Sequence, residues 1–203
     1  PDLIGFSAFT GMHKSVFRTA ATMKKRLGIP VIIGGPHPTF YPECIDEYPD
    51  IDLICCGDGE EVLSNLFNAM ASGSDYTSIP GLAVRTNGKV IYNGAAPINY
   101  DLDNVPLPDR DLYFGKYKFL ADMPMKRFMT GYGCPFDCAF CHQPLMRKAL
   151  GISKSKFMRQ KSVKRVVQEI ENIKGKYPLK RVHFSDDMFV LNIGWLESFA
   201  KEY

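Results

Sequence analysis

"IPVIIGGPH", Ile29–His37, is a short apolar run without polar alternation that stops at two glycines. Such a run reads as a buried parallel strand leading into a loop. "DLIGFSAFTG", Asp2–Gly11, has the same form and ends in small polar residues. Between them Val16, Ala20, Met23 and Leu27 recur at helical spacing, with Lys24, Lys25 and Arg26 in the last turn and Gly28 just beyond. Together these segments make a βαβ unit, whose crossover is almost always right-handed. Downstream, "PECIDEYPD" has room for a short helix, and "IDLICCGDGEE" is a third strand. "EEVLSNLFNAMASG" then follows as a helix, with Val62, Leu66, Phe67 and Met70 expected inward. Three strands thus end in Gly- or Ser-bearing loops on one edge of an α/β sheet, the edge where open α/β folds bind ligands.

The rest of the chain divides around a break. "GLAVRTNGKVIYN" alternates on both sides of Asn87-Gly88, a strong hairpin signal. "DLDNVPLPDRDLY" follows with prolines and aspartates but no periodicity, and reads as an interdomain linker. Beyond it, "MKRFMTGYG" is a strand, and Val163, Val166, Val167, Ile170 and Ile173 form one helix face with Ser162 as N-cap. "KRVHFSDDMFV" is the next strand, and "GWLESFAKEY" starts the next helix. The second half is again β, α, β, α. Charge divides at the same place: residues 1–98 carry 7 Lys/Arg against 10 Asp/Glu, and residues 99–203 carry 18 against 12. That imbalance is too mild to argue for nucleic acid. The start at Pro1 without methionine and the end inside a helical pattern read as a fragment, expected to be inactive alone. No apolar run approaches the roughly 18 residues that span a bilayer, so a cytoplasmic protein without a membrane span is expected.

Six cysteines are present, with Cys55 and Cys56 adjacent in a strand pattern that points them to opposite faces, which argues for a reducing compartment. Cys134, Cys138 and Cys141 are crowded into "GYGCPFDCAFCHQ", Gly131–Gln143, in the pattern C-x3-C-x2-C directly after a strand. A structural zinc site wants four protein ligands, and the nearby candidate, His142, abuts Cys141, where folding back onto the same metal is strained. Three thiolates with an open fourth position suit a 4Fe-4S cluster, whose irons normally take one cysteine each. A zinc-stabilised binding module stands as the alternative.

With Phe140 before the third cysteine, this stretch resembles the signature of the radical S-adenosylmethionine (SAM) enzymes. The resemblance implies a cluster held by Cys134, Cys138 and Cys141, whose open iron chelates SAM for reductive cleavage to methionine and a 5′-deoxyadenosyl radical. It implies Phe140 near the adenine and an electron donor such as flavodoxin or ferredoxin. The family's second barrel strand often ends in Gly-Gly-Glu, which holds the cofactor's amino group. Here Ser185, Asp186 and Asp187 stand there, and acidic residues at a barrel strand's C-terminal end favour a site.

The first half resembles the cobalamin-binding domain that precedes many radical SAM proteins. Ser7-Ala8-Phe9 matches its Ser-x-hydrophobic stretch, Gly34-Gly35 its Gly-Gly, and "GDGEE", Gly57–Glu61, its Gly-Glu-Gly-Glu edge. Ser7, Gly34, Gly35, Gly57 and Gly59 are therefore expected to line a cobalamin site, while His13 and His37 match no cobalt-ligand motif and read as surface or turn residues. The implied architecture is α/β: part of a flavodoxin-like (Rossmann-type) cobalamin-binding domain with a β-hairpin over 1–98, a linker over 99–122, and the first βα units of a partial TIM barrel over 123–203. The implied reaction is methyl transfer, or an oxidative cyclisation or rearrangement of the anaerobic magnesium-protoporphyrin ester cyclase type, on a small-molecule substrate. An accessory domain that does not bind cobalamin is the alternative for the first half. Finally, Arg147 to Arg165 holds eight Lys/Arg and no acid. A solvated face is the ordinary reading, and a contact from Arg159 to an anionic substrate group the sharper one.

Overall fold

The computed structural model describes residues 1–203, in two compact units: residues 1–99 with 138–152, and residues 100–137 with 153–203. The first unit is built on β1 (Ile4–Ser7), α1 (His13–Leu27), β2 (Val31–Gly34), α2 (Pro36–Phe40), α3 (Cys44–Glu47), β3 (Leu53–Cys55), α4 (Gly59–Ser72), β4 (Leu82–Thr86) and β5 (Lys89–Tyr92). The strands form one sheet in the order β1-β2-β3-β4-β5, with β1, β2 and β3 parallel and β4 and β5 antiparallel. The apolar runs are unalternating because both faces are covered. Val31, Ile33, Ile54 and Ala83 pack with Phe17 and Ala20 of α1 and Ile45 of α3, while Ile32, Leu53, Leu82 and Val84 pack with Val62 and Leu66 of α4. Each such side chain contributes roughly 1.5–3 kcal/mol on burial. Cys55 and Cys56 fall into these two opposite cores, as the strand period requires.

The helix faces are rotated from the simple pattern. Phe17 is fully buried and stacks on Tyr48 with ring centroids 4.3 Å apart, while Met23 and Leu27 are exposed. Phe67 of α4 is exposed as well. α1 ends at Gly28, whose φ of 68° and N–H to the Lys24 carbonyl make a left-handed cap. The β4-β5 turn has φ of 49° at Asn87 and 74° at Gly88, the conformation that favours Asn-Gly in a two-residue hairpin.

In the second unit, residues 100–122 carry a 3-10 turn (Leu102–Asn104), α5 (Asp111–Phe114) and α6 (Lys118–Asp122). β6 (Met125–Phe128) and β7 (Gly131–Tyr132) follow, and α7 (Gln143–Ala149) lies in the segment that clusters with the first unit. The second unit resumes with α8 (Lys154–Phe157), β8 (Arg159–Gln160), α9 (Val163–Lys176), β9 (Arg181–Phe184) and α10 (Ile193–Glu202). β6 and β9 are parallel, with Met125 opposite Arg181 and Phe128 opposite Phe184. α9 covers them with Val166, Ile170 and Ile173 against Phe128 and Phe199. Its N-cap is Ser162, whose hydroxyl accepts the Arg165 amide.

The single strand expected over "MKRFMTGYG" is divided. The parallel ladder reaches Ser185 N–H to the Phe128 carbonyl, after which β7 turns to an antiparallel pair with β8, Gly131 opposite Gln160 and Tyr132 opposite Arg159. The cause is a carboxylate. Asp186 Oδ1 accepts the Thr130 amide at 2.9 Å, the Thr130 hydroxyl at 2.5 Å and the Gly131 amide at 2.8 Å, where a neighbouring strand's carbonyls would otherwise stand.

Candidate functional site

In the first unit, Gly34, Gly35, Gly57 and Gly59 line one cavity of about 290 Å³, with Phe6 and Leu63 among its walls. Its size lies at the lower limit of ordinary ligand pockets. The glycines are there for two different reasons. Gly35 and Gly57 have φ of 95° and 97°, and a Cβ on Gly35 would sit 2.6 Å from Ser7 Oγ. Those two are required by the backbone itself, and Ser7 is the wall behind Gly35. Gly34 and Gly59, by contrast, have ordinary φ, and a Cβ at either would meet only van der Waals neighbours at 3.6 Å or more. Nothing in the protein demands glycine there. What their bareness does is leave the cavity open to a bulky group lying against the sheet edge.

The loop after β1 is tied to the glycine loop after β2. Ala8 N–H donates to the Gly34 carbonyl, and His37 N–H to the Ala8 carbonyl. His37 is buried rather than a surface residue. Its Nδ1 lies 3.1 Å from the Thr10 hydroxyl, and its ring stacks on His13 at 4.0 Å. Burial and then the adjacent His13 push the His37 pKa below its ordinary value, with Glu47 opposing.

The cysteines separate into two kinds. Cys44, Cys55 and Cys56 are buried, and burial pushes their thiols up to about 12, 11 and 12, so they are inert core residues. Cys134 and Cys141 are half-buried and Cys138 is exposed, and all three are free thiols. Cys141 N–H closes a turn onto the Cys138 carbonyl at 3.0 Å. Cys134 belongs to the second unit, and Cys138 and Cys141 to the first. The donor set itself, three accessible thiols within eight residues and none in a disulfide, fits a cluster with one open iron. Phe140 is 93% exposed.

Asp186 uses its two carboxylate oxygens differently. Its Oδ1 is committed to the strand break, so only Oδ2 remains, and that atom is buried without a hydrogen-bond partner. A small void of about 10 Å³, lined by Gly131, Tyr132, Gly133, Asp186 and Asp187 among others, adjoins it. That is room for one water or one ammonium-sized group. Ser185 and Asp187 are exposed. Asp186→Ala is expected to cost the second unit about 3 kcal/mol, since two amides and the fully buried Thr130 hydroxyl lose their acceptor. Chemical denaturation checks it, and an unchanged midpoint would mean that water replaces the carboxylate at no cost.

The basic run is not simply a solvated face. Arg159 is 6% exposed, its guanidinium 5.4 Å from the Tyr132 ring centroid. Lys161 pairs with the buried Glu169 at 3.0 Å, which also takes Arg110 at 2.8 Å. Arg110 and Lys161 border a cavity of about 460 Å³ that Arg127 and Ser185 also line. Neither this triad nor Thr39, which bridges two glycine loops, carried a sequence signal of its own. Thr39 does fall four residues after Gly35, the spacing of a side chain that bonds back along a helix.

The class this arrangement defines is an α/β domain with a glycine-lined ligand edge, combined with βα units that carry a cysteine loop. Residues 1–67 match the family model described as the B12 binding domain, and the chain is similar to the cobalamin-dependent radical SAM methyltransferase TokK of Streptomyces tokunonensis, 25% identical over 148 residues, 70% of this chain and 22% of that protein. An uncharacterized methyltransferase of Pyrococcus horikoshii is 36% identical over 197 residues, which cover 95% of this chain and 41% of that protein. The anaerobic magnesium-protoporphyrin IX monomethyl ester cyclase of Rubrivivax gelatinosus is 34% identical over 184 residues, 84% of this chain and 31% of that protein. Among solved structures, the radical SAM methyltransferase TsrM from Kitasatospora setae, with tryptophan substrate and a SAM analogue bound, superposes with a TM-score of 0.69 at 21% identity. That match takes in 100% of this chain and 40% of TsrM, and it establishes the fold. The chain thus spans less than half the length of these proteins. No helix is long and apolar enough to cross a membrane.

Proposed function

We propose that the chain contributes the cobalamin-facing edge and the cluster loop of a cobalamin-dependent radical SAM enzyme. The observation that carries this reading is the conjunction of accessible Cys134, Cys138 and Cys141 with a cavity whose bare glycines, Gly34 and Gly59, no internal contact explains. Bound there, a 4Fe-4S cluster supplies the electron that cleaves SAM, and cobalamin supplies a methyl group or a radical-controlling metal. The chain's own residues hold and orient. The three thiolates ligate iron, Phe140 offers an exposed ring for the adenine, and Asp186 Oδ2 presents an unpartnered acceptor to the SAM ammonium. Ser185 and Asp187 flank that acceptor in sequence. Ser7, Gly35 and Gly57 shape the edge on which the corrinoid's nucleotide tail lies, and Gly34 and Gly59 leave room for it. A small-molecule substrate and an electron donor of the flavodoxin or ferredoxin kind complete the reaction, and an anionic substrate group would suit the cations around Arg110 and Lys161.

The relatives' names divide between methyl transfer and ring formation. SAM labelled in its methyl group separates the two, since transfer moves the label to product and cyclisation does not. The enzymatic reading is tested by isolating the protein without oxygen. The protein carrying a complete barrel is expected to retain a corrinoid and, once reduced, to release 5′-deoxyadenosine from SAM, and residues 1–203 alone to release little or none. Protein that holds zinc and no iron, and releases none, would sink it.

A further inference from the structure

We infer that Thr39 is the positioning residue of the glycine cradle, holding the loop after β2 and the loop after β3 at the spacing the ligand requires. The inference rests on the cobalamin reading of that cavity. Thr39 is 7% exposed, and its hydroxyl uses both of its capacities. It donates to the Gly35 carbonyl at 2.9 Å and accepts the Gly57 amide at 3.0 Å. Gly35 and Gly57 are the two cavity-lining residues with positive φ, 95° and 97°. Positive φ at glycine is a freedom as much as a shape, because the peptide can swing at little steric cost. One hydroxyl, bonded to both, removes that freedom from two walls at once. The planar peptide between Cys56 and Gly57 is held on both sides, by the Ala96 N–H on the Cys56 carbonyl and by the Thr39 hydroxyl on the Gly57 amide, and Thr39 is the contact that joins it to the loop after β2. Holding the cradle in its bound shape before the ligand arrives spares the ordering cost of binding.

The Thr39 side chain offers a hydroxyl and a methyl, and two near-isosteric variants separate them. Thr39→Val keeps the methyl and the volume, and Thr39→Ser keeps the hydroxyl. Aquacobalamin titrated into each, followed by its absorbance, is expected to bind Thr39→Val about tenfold or more weakly, and Thr39→Ser within about threefold of the unsubstituted protein. A role in packing alone makes the opposite prediction, with Val tolerated and Ser impaired, and that result would overturn the inference. Amide hydrogen exchange at Gly57, read without any corrinoid, is expected to quicken in Thr39→Val and stay slow in Thr39→Ser. Unchanged exchange would count against Thr39 whatever the titration gives. Failure of Thr39→Val to fold would mean that the hydroxyl serves the fold rather than the cradle, again overturning the inference. If the unsubstituted protein binds no aquacobalamin while Gly57 exchange still depends on the hydroxyl, the ligand reading is what falls.

Discussion

Cys138→Ala abolishes iron retention and leaves the stability of the metal-free chain unchanged: that is the largest effect expected of any single substitution. Cys138 is exposed, and the turn it starts is closed by its backbone carbonyl, which alanine retains. Removal of the Sγ therefore takes away a ligand and almost nothing else, and surface changes of this kind move stability by about 0.5 kcal/mol or less. The brown colour that bleaches in air should be absent from the reconstituted variant, as should 5′-deoxyadenosine. The matching control is Cys55→Ala. That thiol is 5% exposed in the core beneath α4, so its loss should cost stability and spare the iron. Iron retained by Cys138→Ala, or lost in Cys55→Ala without unfolding, would place the metal elsewhere.

The second large effect is expected at Gly133, directly before the first of the three cysteines. Its φ is 86°, and a Cβ there would overlap the Phe157 carbonyl well inside van der Waals contact. Gly131, two residues earlier, is pressed in the same way against the Arg159 carbonyl. Backbone thus meets backbone at both glycines, Gly131 within the β7-β8 pair and Gly133 just beyond it against the end of α8, and neither position admits a side chain. Gly133→Ala combines the left-handed penalty of roughly 1–2 kcal/mol with the displacement of Phe157, a buried residue, for a total on the order of 2–5 kcal/mol. Denaturant unfolding should show the loss, and iron incorporation should fall with it because Cys134 is aimed by this turn. A variant as stable as the parent would show that the β7-β8 approach relaxes freely.

Much of the first unit was legible in order. Unalternating apolar runs leading to glycine marked β2 and β3, because a strand covered on both faces has no polar positions to alternate, while β1, at the sheet edge, half-buries alternate residues and ends in Ser7. Asn87-Gly88 gave the hairpin through its two positive φ values. The cradle glycines were legible as well, but their two meanings were not. Sequence cannot tell Gly35, needed for its φ and for Ser7, from Gly34, which is bare toward a cavity. The second unit was harder to read because polar side chains there replace backbone partners. Lys126 lies on the buried face of β6 beside Phe128, and its ammonium donates to the carbonyls of Leu120 at 3.0 Å, Ala121 at 2.8 Å, and Met123. It thereby caps α6, and burial lowers its pKa. Asp186 likewise ends β6 by standing in for a strand. Asp186 acts on residues 55 and 56 positions away, and Lys126 on carbonyls 3 to 6 positions back that follow no strand period, so periodicity registers neither.

Iron and acid-labile sulfide, measured per chain after oxygen-free reconstitution, put the matter most directly. About four of each, with loss on replacing any of Cys134, Cys138 or Cys141, is the expected result. One tightly held zinc with neither iron nor sulfide would contradict it.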